Sequence, residues 1–273
     1  MTTPLDDPGD PRLSDFARLD EPGFRIKIEA ARERVEGFFV VEGPLPIATL
    51  LRSRHRDRVR AVLVTPARLA GLAADLEGVA APVFVADPDL LRAIVGFDLH
   101  RGAVASVDRF PLPDVPAVLA DARTIAVCER VNDHENLGVI FRNAAALGID
   151  AVLLDPECSD PLYRRCVRVS IGHVLTVPWT RVPQWPSGLD EVRSAGFTIA
   201  ALTPRADAVP IERFVEEVAG RVAIVVGAEG PGLSGAALAA ADVAVRIPMR
   251  AGVDSLNVAT AAAIAFHRLV AGA

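Results

Sequence analysis

The sequence predicts an α/β protein of two domains, the second built on a parallel sheet flanked by helices. Three observations carry that prediction. Short apolar runs alternate with helical segments along nearly the whole chain, the pattern of a layered α/β fold. In the second half these runs are continuously apolar, which marks strands buried on both faces. The chain has 273 residues, enough for two domains at about 150 each, and 51% of them are apolar.

The elements follow in order. Residues 1–22 read as a flexible tail, because Asp6, Asp7, Pro8, Gly9, Asp10 and Pro11 offer nothing to bury. Residues 23–108 form the first domain. Its strands fall at 38–41, 59–64, 83–85 and 103–107, and its helices begin at Pro44, Pro66 and Pro88, each with the residue favoured in a first helical turn. Three prolines between Arg109 and Pro116 make 109–122 a semi-rigid linker. Residues 123–273 form the second domain, with strands at 125–128, 151–154, 174–177, 198–202, 222–226 and 243–247. A closing helix from about Ser255 repeats apolar residues at 258, 261, 262, 265, 266 and 269, one buried face at helical spacing.

Composition excludes several classes. Cys128, Cys158 and Cys166 have no CxxC spacing, so neither a disulfide framework nor a zinc site is expected, and no metal is. No apolar run reaches the roughly 18 residues of a membrane span, and the acidic N-terminus is unlike a signal peptide, so a cytoplasmic protein without a membrane partner is expected. The net charge of −6 argues against a nucleic-acid partner when taken as a total. The total hides a segment, 52–68, with six arginines and one aspartate. Arg52, Arg54, Arg56, Arg58 and Arg60 are candidate phosphate contacts, with a solvated charged turn as the alternative. Arg164, Arg165 and Arg168 form a second cluster.

Ligands of parallel α/β sheets bind beyond the C-terminal ends of strands, so the loops there are the places to look for chemistry. One loop, 131–136, runs into a helix that Asn136 would cap, with Arg142 two turns in. Either this is a cap and an exposed arginine, or the pair holds a phosphate. A second, 227–234, has the pattern G-x-x-G-x-G and carries Glu229, which would repel a pyrophosphate, so a dinucleotide loop is disfavoured. In the third, 247–258, Ser255 and Asn257 sit where polar residues commonly cap a helix.

Taken together, N-x-G-x-x-x-R-x-A at 136–144, V-G-A-E-G at 226–230, and I-P-M with S-L-N-V at 247–258 resemble the SpoU (TrmH-like) family of RNA ribose 2′-O-methyltransferases, within the SPOUT superfamily. Arg168 to Gly172 is similar to that family's R-x-S-x-G segment, and 39–43 with 100–104 to the substrate-binding domain often fused ahead of it. The resemblance implies a C-terminal SPOUT-type parallel sheet with a deep trefoil knot, preceded by a smaller α/β RNA-binding domain. It implies S-adenosyl-L-methionine as cofactor, held by Leu202, Gly227, Glu229, Gly230, Ile247, Met249 and Leu256. It implies a catalytic group of Asn136, Arg142, Glu229, Ser255 and Asn257. In that group Arg142 would be either the proton acceptor or a phosphate clamp, the clamp being favoured because arginine is a reluctant base, and Glu229 would accept hydrogen bonds within its loop. Glycines at 227 and 230 would keep the pocket free of side chains. The expected partners are ribosomal RNA, or less readily transfer RNA, and a second copy joined through the knotted domain. Two other functions stand beside this one: a catalytically inactive RNA-binding protein on the same scaffold, which the filled catalytic positions disfavour, and a nucleotide-binding oxidoreductase, which the missing G-x-G-x-x-G disfavours.

Overall fold

The computed structural model describes residues 2–19, 37–250 and 252–271. Residues 20–22 of the expected tail and 23–36 of the expected first domain lie outside the described residues. The chain divides into two compact units, 1–111 with 160–176, and 112–159 with 177–273.

The first unit holds a five-stranded sheet of β1 (Thr2–Pro4), β2 (Phe38–Glu42), β3 (Val59–Val64), β4 (Val83–Val85) and β5 (Ala103–Asp108), in the order β1-β4-β3-β5-β2. β1, β4 and β3 run parallel, while β5 runs antiparallel to both β3 and β2. Helices Pro44–Arg52, Pro66–Leu76 and Pro88–Val95 each open on a proline, whose missing N–H would have had no helical partner at that position.

Residues 2–19 correct the expectation of a flexible tail. Thr2 to Pro4 pair with Val83 to Val85, and Leu13, Phe16 and Leu19 are buried in the core of this unit. The carboxylates that made the segment look unburiable serve it locally. Asp10 accepts from the Arg12 amide at the turn Pro11–Leu13, and Asp15 pairs with Arg60. Apolar residues at every third position supply the buried face that the average composition concealed.

The segment 160–176, set within 123–273 by the sequence boundaries, groups with the first unit. A buried ion pair, Arg109 with Asp160, and a second between Arg168 Nη1 and Glu42 Oε1 at 3.2 Å attach it there. Gly172 lies so close to the Pro46 carbonyl that an added Cβ would stand 3.0 Å from that oxygen. Residues 174–177, expected as a strand, instead contain the 3-10 turn His173–Leu175, because Gly172 adopts φ +80° and the chain closes i to i+3 hydrogen bonds after it. The strand comes only after Pro178.

The 109–122 segment is not an extended connector either. Arg109 and Phe110 are buried in the first unit. The helix Val115–Leu119, capped by Asp114 through the Ala117 amide at 2.9 Å, buries three apolar side chains in the second.

The second unit is a seven-stranded sheet of β6 (Thr124–Glu129), β7 (Ala151–Leu154), β8 (Trp179–Arg181), β9 (Phe197–Leu202), β10 (Val209–Pro210), β11 (Arg221–Gly227) and β12 (Val243–Arg246). Its order is β10-β12-β9-β11-β6-β7-β8, and every pairing is parallel. β6, β7 and β11 are buried almost throughout, as continuous apolar runs require. Because β9 lies between β12 and β11, the loops leaving the C-terminal ends of these three strands emerge side by side. Among the described residues, no helix is long and apolar enough to cross a membrane.

Candidate active site

Those three loops enclose a cavity of about 650 Å³ within the second unit. Leu202 ends β9, Gly227 ends β11, and Ile247 and Met249 follow β12; all four line the cavity, as do Glu229, Gly230 and Leu256. Thus all seven residues expected around the cofactor share one cavity. Ser255 and Asn257, from the expected catalytic group, line it as well. Gly232, the third glycine of the same loop, contributes too, and Thr203, Pro204 and Leu233 do so and were missed. Adjacency to singled-out residues was the only sequence signal for them.

At its exposed rim, Asn257 Nδ2 donates to Glu229 Oε1 at 2.6 Å and to Asn136 Oδ1 at 2.8 Å. Its own Oδ1 accepts from the Thr260 amide at 3.1 Å, in the first turn of helix Val258–Ala271. The cap fixes which way the amide points: with oxygen toward Thr260, both N–H donors face Glu229 and Asn136. Asn257, not Ser255, therefore caps the closing helix. Ser255 stays exposed on the cavity wall. Asn136 is likewise not a cap. Asp133 takes that place and accepts from the Glu135 and Asn136 amides at 2.8 Å, which leaves the Asn136 side chain available to Asn257. Helix His134–Leu147 packs against Val258–Ala271, and Asn143 Nδ2 donates to the Ala259 carbonyl at 3.1 Å.

Arg142 is not brought to this cluster. It is exposed on helix His134–Leu147, six residues from Asn136 and therefore on another face, and it does not line the cavity.

The two singled-out glycines are required by the backbone, Gly227 by a close approach and Gly230 by a positive φ. A Cβ on Gly227 would stand 2.4 Å from the Gly232 carbonyl carbon and from the Leu233 nitrogen. The loop folds back on itself there, closed by the Gly232 amide donating to the Ala228 carbonyl at 3.0 Å. Gly230 has open space around it but φ +84°, the left-handed region.

A residue absent from the expected list supports this loop. Glu129 ends β6 directly opposite Gly227 in the register and is buried. Its Oε2 accepts from the Ser234 amide and its Oε1 from Trp185 Nε1, both at 2.7 Å. No local motif marks it; the pairing of β6 with β11 creates the contact.

The arginines divide into two sets. Arg52 pairs with Asp75 at 2.6 Å, and Arg60 bridges Asp15 at 2.7 Å and Asp108 at 2.9 Å, which hold its guanidinium firmly protonated. Arg56 donates to the Glu77 carbonyl, Arg58 to that of Arg109 at 3.4 Å, and Arg54 to His55 Nε2 at 3.3 Å. Arg164, Arg165 and Arg168 line a small recess of about 180 Å³ together with Tyr163. Among the described residues, no group of His, Cys, Asp and Glu could hold a metal ion.

Comparison with known proteins matches the geometry. The SpoU rRNA Methylase family model matches residues 123–267. An uncharacterized tRNA/rRNA methyltransferase of Mycobacterium tuberculosis is 48% identical over 262 residues, covering 96% of this chain and 89% of the relative. A 23S rRNA (guanosine-2′-O-)-methyltransferase of Acinetobacter baylyi is 32% identical over 189 residues, 67% of this chain and 75% of its own. Among solved structures, the SpoU methyltransferase AviRb of Streptomyces viridochromogenes in complex with AdoMet superposes with TM-score 0.76 at 25% identity, over 96% of this chain and 98% of that one.

Proposed function

The chain belongs to the SpoU rRNA methylase family, and we propose that it is an S-adenosylmethionine-dependent methyltransferase acting on a ribose 2′-hydroxyl of ribosomal RNA. The observation that carries this reading is the single cavity on which the loops after β9, β11 and β12 converge, with the Asn257 cluster at its rim. Support for ribosomal RNA comes from relatives named as 23S rRNA 2′-O-methyltransferases.

The cavity suits the cofactor. Its volume of about 650 Å³ falls within the roughly 300–1,000 Å³ of small-molecule sites, and apolar walls from Leu202, Ile247, Met249 and Leu256 accompany the backbone groups of 227–230. When bound, the cofactor supplies an electrophilic methyl group on a sulfonium. The chain's part is to hold the ribose in line with that group at the exposed rim, where the proton its hydroxyl gives up as the new C–O bond forms passes to solvent water. Asn257 keeps Glu229 and Asn136 in one place, so their oxygens orient the sugar, and Ser255 adds a hydroxyl from the cavity wall. Glu229 already accepts a hydrogen bond from Asn257 and serves as an orienting acceptor. Arginine is a poor general base, because a guanidinium holds its proton too firmly to exchange it. The exposure of Arg142, away from the cavity lining, suits a clamp on a phosphate of the bound RNA.

A trefoil knot and a homodimer through this unit belong to the same proposal. β12 inserts between β9 and β10, and the chain beyond it returns to pack against helix His134–Leu147. The proposed substrate places the protein in the cytoplasm.

The test is transfer of labelled methyl from S-adenosylmethionine to ribosomal RNA, with 2′-O-methyl positions mapped in cells with and without the protein. Transfer should be lost in Arg142→Ala, while calorimetry shows S-adenosylhomocysteine still binding and NAD not binding. Full activity in Arg142→Ala would remove the clamp. RNA binding without transfer by the wild type would favour an inactive scaffold.

A further inference from the structure

We propose that Arg130, at the exit of β6, is an RNA-phosphate contact beside the candidate site, carried on a strained turn that the fold pins on both sides. This rests on the reading of the chain as an RNA methyltransferase and adds to it a residue that no motif marked.

Two observations single Arg130 out. Its backbone lies at φ +52°, the left-handed region that a residue with a Cβ seldom occupies. Its Nε is buried without a hydrogen bond, and its guanidinium bonds to none of the described residues. The two terminal nitrogens are not sealed in with Nε, so the cation opens outward from a packed stem. Glycine would make the same turn without strain, and a buried, unpartnered N–H costs stability. Strain of this kind persists where the surroundings over-determine it, and it clusters at sites of function.

The surroundings do over-determine it. Just before Arg130, Glu129 accepts from the Ser234 amide and from Trp185 Nε1, both at 2.7 Å, and the Cys128 carbonyl accepts from the Asp155 amide at 3.0 Å. Just after it, the Val131 amide donates to Cys158 Sγ at 3.3 Å, and the Val131 carbonyl accepts from the Ser159 amide at 3.1 Å. The Ser159 hydroxyl donates to the Asn132 carbonyl. Arg181 fastens 155–159 in turn, donating to the carbonyls of Asp155, Cys158 and Ser159, all within 3.1 Å. The carboxylates of these loops have other donors. Asp133 takes the Glu135 and Asn136 amides, and Asp155 takes those of Glu157 and Cys158.

Position defines the ligand. Glu129 stands opposite Gly227 in the β6–β11 register, so Arg130 is the first residue beyond the sheet edge from which the site loops leave. Further along the same loop and helix, Asn136 joins Asn257 at the cavity rim. Arg130 does not line the cavity, which separates it from the cofactor. An RNA strand that offers a ribose to the rim carries a phosphate on each side of that sugar. An outward guanidinium with both terminal NH2 groups open bonds two phosphate oxygens at once.

The experiment measures binding of a ribosomal RNA fragment by fluorescence anisotropy from about 50 to 300 mM salt, on the full chain. Arg130→Gly relieves the backbone and removes the cation, so its urea midpoint should hold or rise. Its RNA binding should weaken about tenfold, and the plot of log K against log salt should lose about one unit of slope. S-adenosylhomocysteine affinity should stay unchanged. In methyl transfer, KM for RNA should rise with kcat little changed, as for a contact made equally in the ground and transition states. Arg130→Lys should keep the slope and lose part of the affinity, because lysine is a point charge. Wild-type affinity and slope in Arg130→Gly would overturn the assignment. A lower urea midpoint together with weaker S-adenosylhomocysteine binding in that variant would also overturn it, making the side chain a strut of its loop. Inorganic phosphate that binds the wild type at millimolar concentration, fails to bind Arg130→Gly and does not compete with RNA would reassign the cation to a free anion. Wild-type protein that methylates RNA beside a glycine variant with unchanged KM defeats this inference alone; wild-type protein that neither binds nor methylates RNA defeats the functional reading beneath it.

Discussion

Asn257 and Glu229 are joined side chain to side chain, Nδ2 to Oε1 at 2.6 Å, across 28 residues of sequence. The same amide caps the closing helix through its oxygen. Helix architecture and site geometry are thus fixed by one side chain, and substitution can separate them. Asn257→Asp keeps the capping oxygen and loses the amide donors. Thermal unfolding should change little, within about 0.5 kcal/mol, since aspartate caps as well as asparagine. Methyl transfer should fall roughly ten- to a hundredfold, the equivalent of a lost hydrogen bond to a charged group. A parallel loss of stability and activity would mean that the cap is all Asn257 provides.

The two loop glycines should respond differently to alanine. In Gly227→Ala the new methyl meets backbone at 2.4 Å, which cannot yield without moving the loop. Stability should drop by about 1–3 kcal/mol and S-adenosylhomocysteine binding should be largely lost. Gly230→Ala has open space and carries only the left-handed strain, about 1–2 kcal/mol, with binding weakened less. Calorimetric titration beside urea unfolding of both variants checks the order.

Glu129 predicts a support effect at a position outside the cavity lining. Glu129→Ala leaves the Ser234 amide and Trp185 Nε1 without their acceptors. Urea unfolding should show a loss of about 2–4 kcal/mol, the sum of two unmade bonds in a buried setting. Cofactor affinity should weaken too, because Ser234 closes the loop that begins at Gly227. Glu129→Gln, which retains one acceptor oxygen, should recover part of both.

His55 gives the first unit a pH dependence. It is buried, stacked on Phe110 at 3.8 Å, and its Nε2 accepts from Arg54, which requires the neutral ring. Burial first, then the Arg54 and Arg58 charges, push its pKa down to about 4. With the folded value below the unfolded value of about 6.5, the unfolded chain binds the proton more readily. The stability contribution is present above pH 6.5 and is lost as pH falls toward 4, by on the order of 2–3 kcal/mol. His55→Phe should flatten the stability profile between pH 6.5 and 4.5. A profile unchanged by that substitution would assign the acid sensitivity to other groups.

The sequence by itself determined five of the seven strands of the second unit, β6, β7, β9, β11 and β12, and seven of the residues that line its cavity. Strands buried on both faces must be continuously apolar, and glycine, proline and polar residues must cluster where such strands end, so both signals are local. It also supplied Asn136, Glu229 and Asn257, but not their arrangement. Which residue caps depends on where a helix begins, and a shift of two or three residues exchanged Asn136 for Asp133 and Ser255 for Asn257. Only tertiary structure decided what lies far apart in the chain. The β6–β11 register brings Glu129 to Ser234, and sheet order brings the loops after β9, β11 and β12 together. Burial of Leu13, Phe16 and Leu19 under an acidic, proline-rich segment depended on a sheet edge and core built by residues dozens of positions away. The arginines show the same limit most plainly. Sequence counts charges, whereas the fold places carboxylates beside Arg52 and Arg60 and gathers Arg164, Arg165 and Arg168 around a recess, because an ion pair is fixed by distance in space.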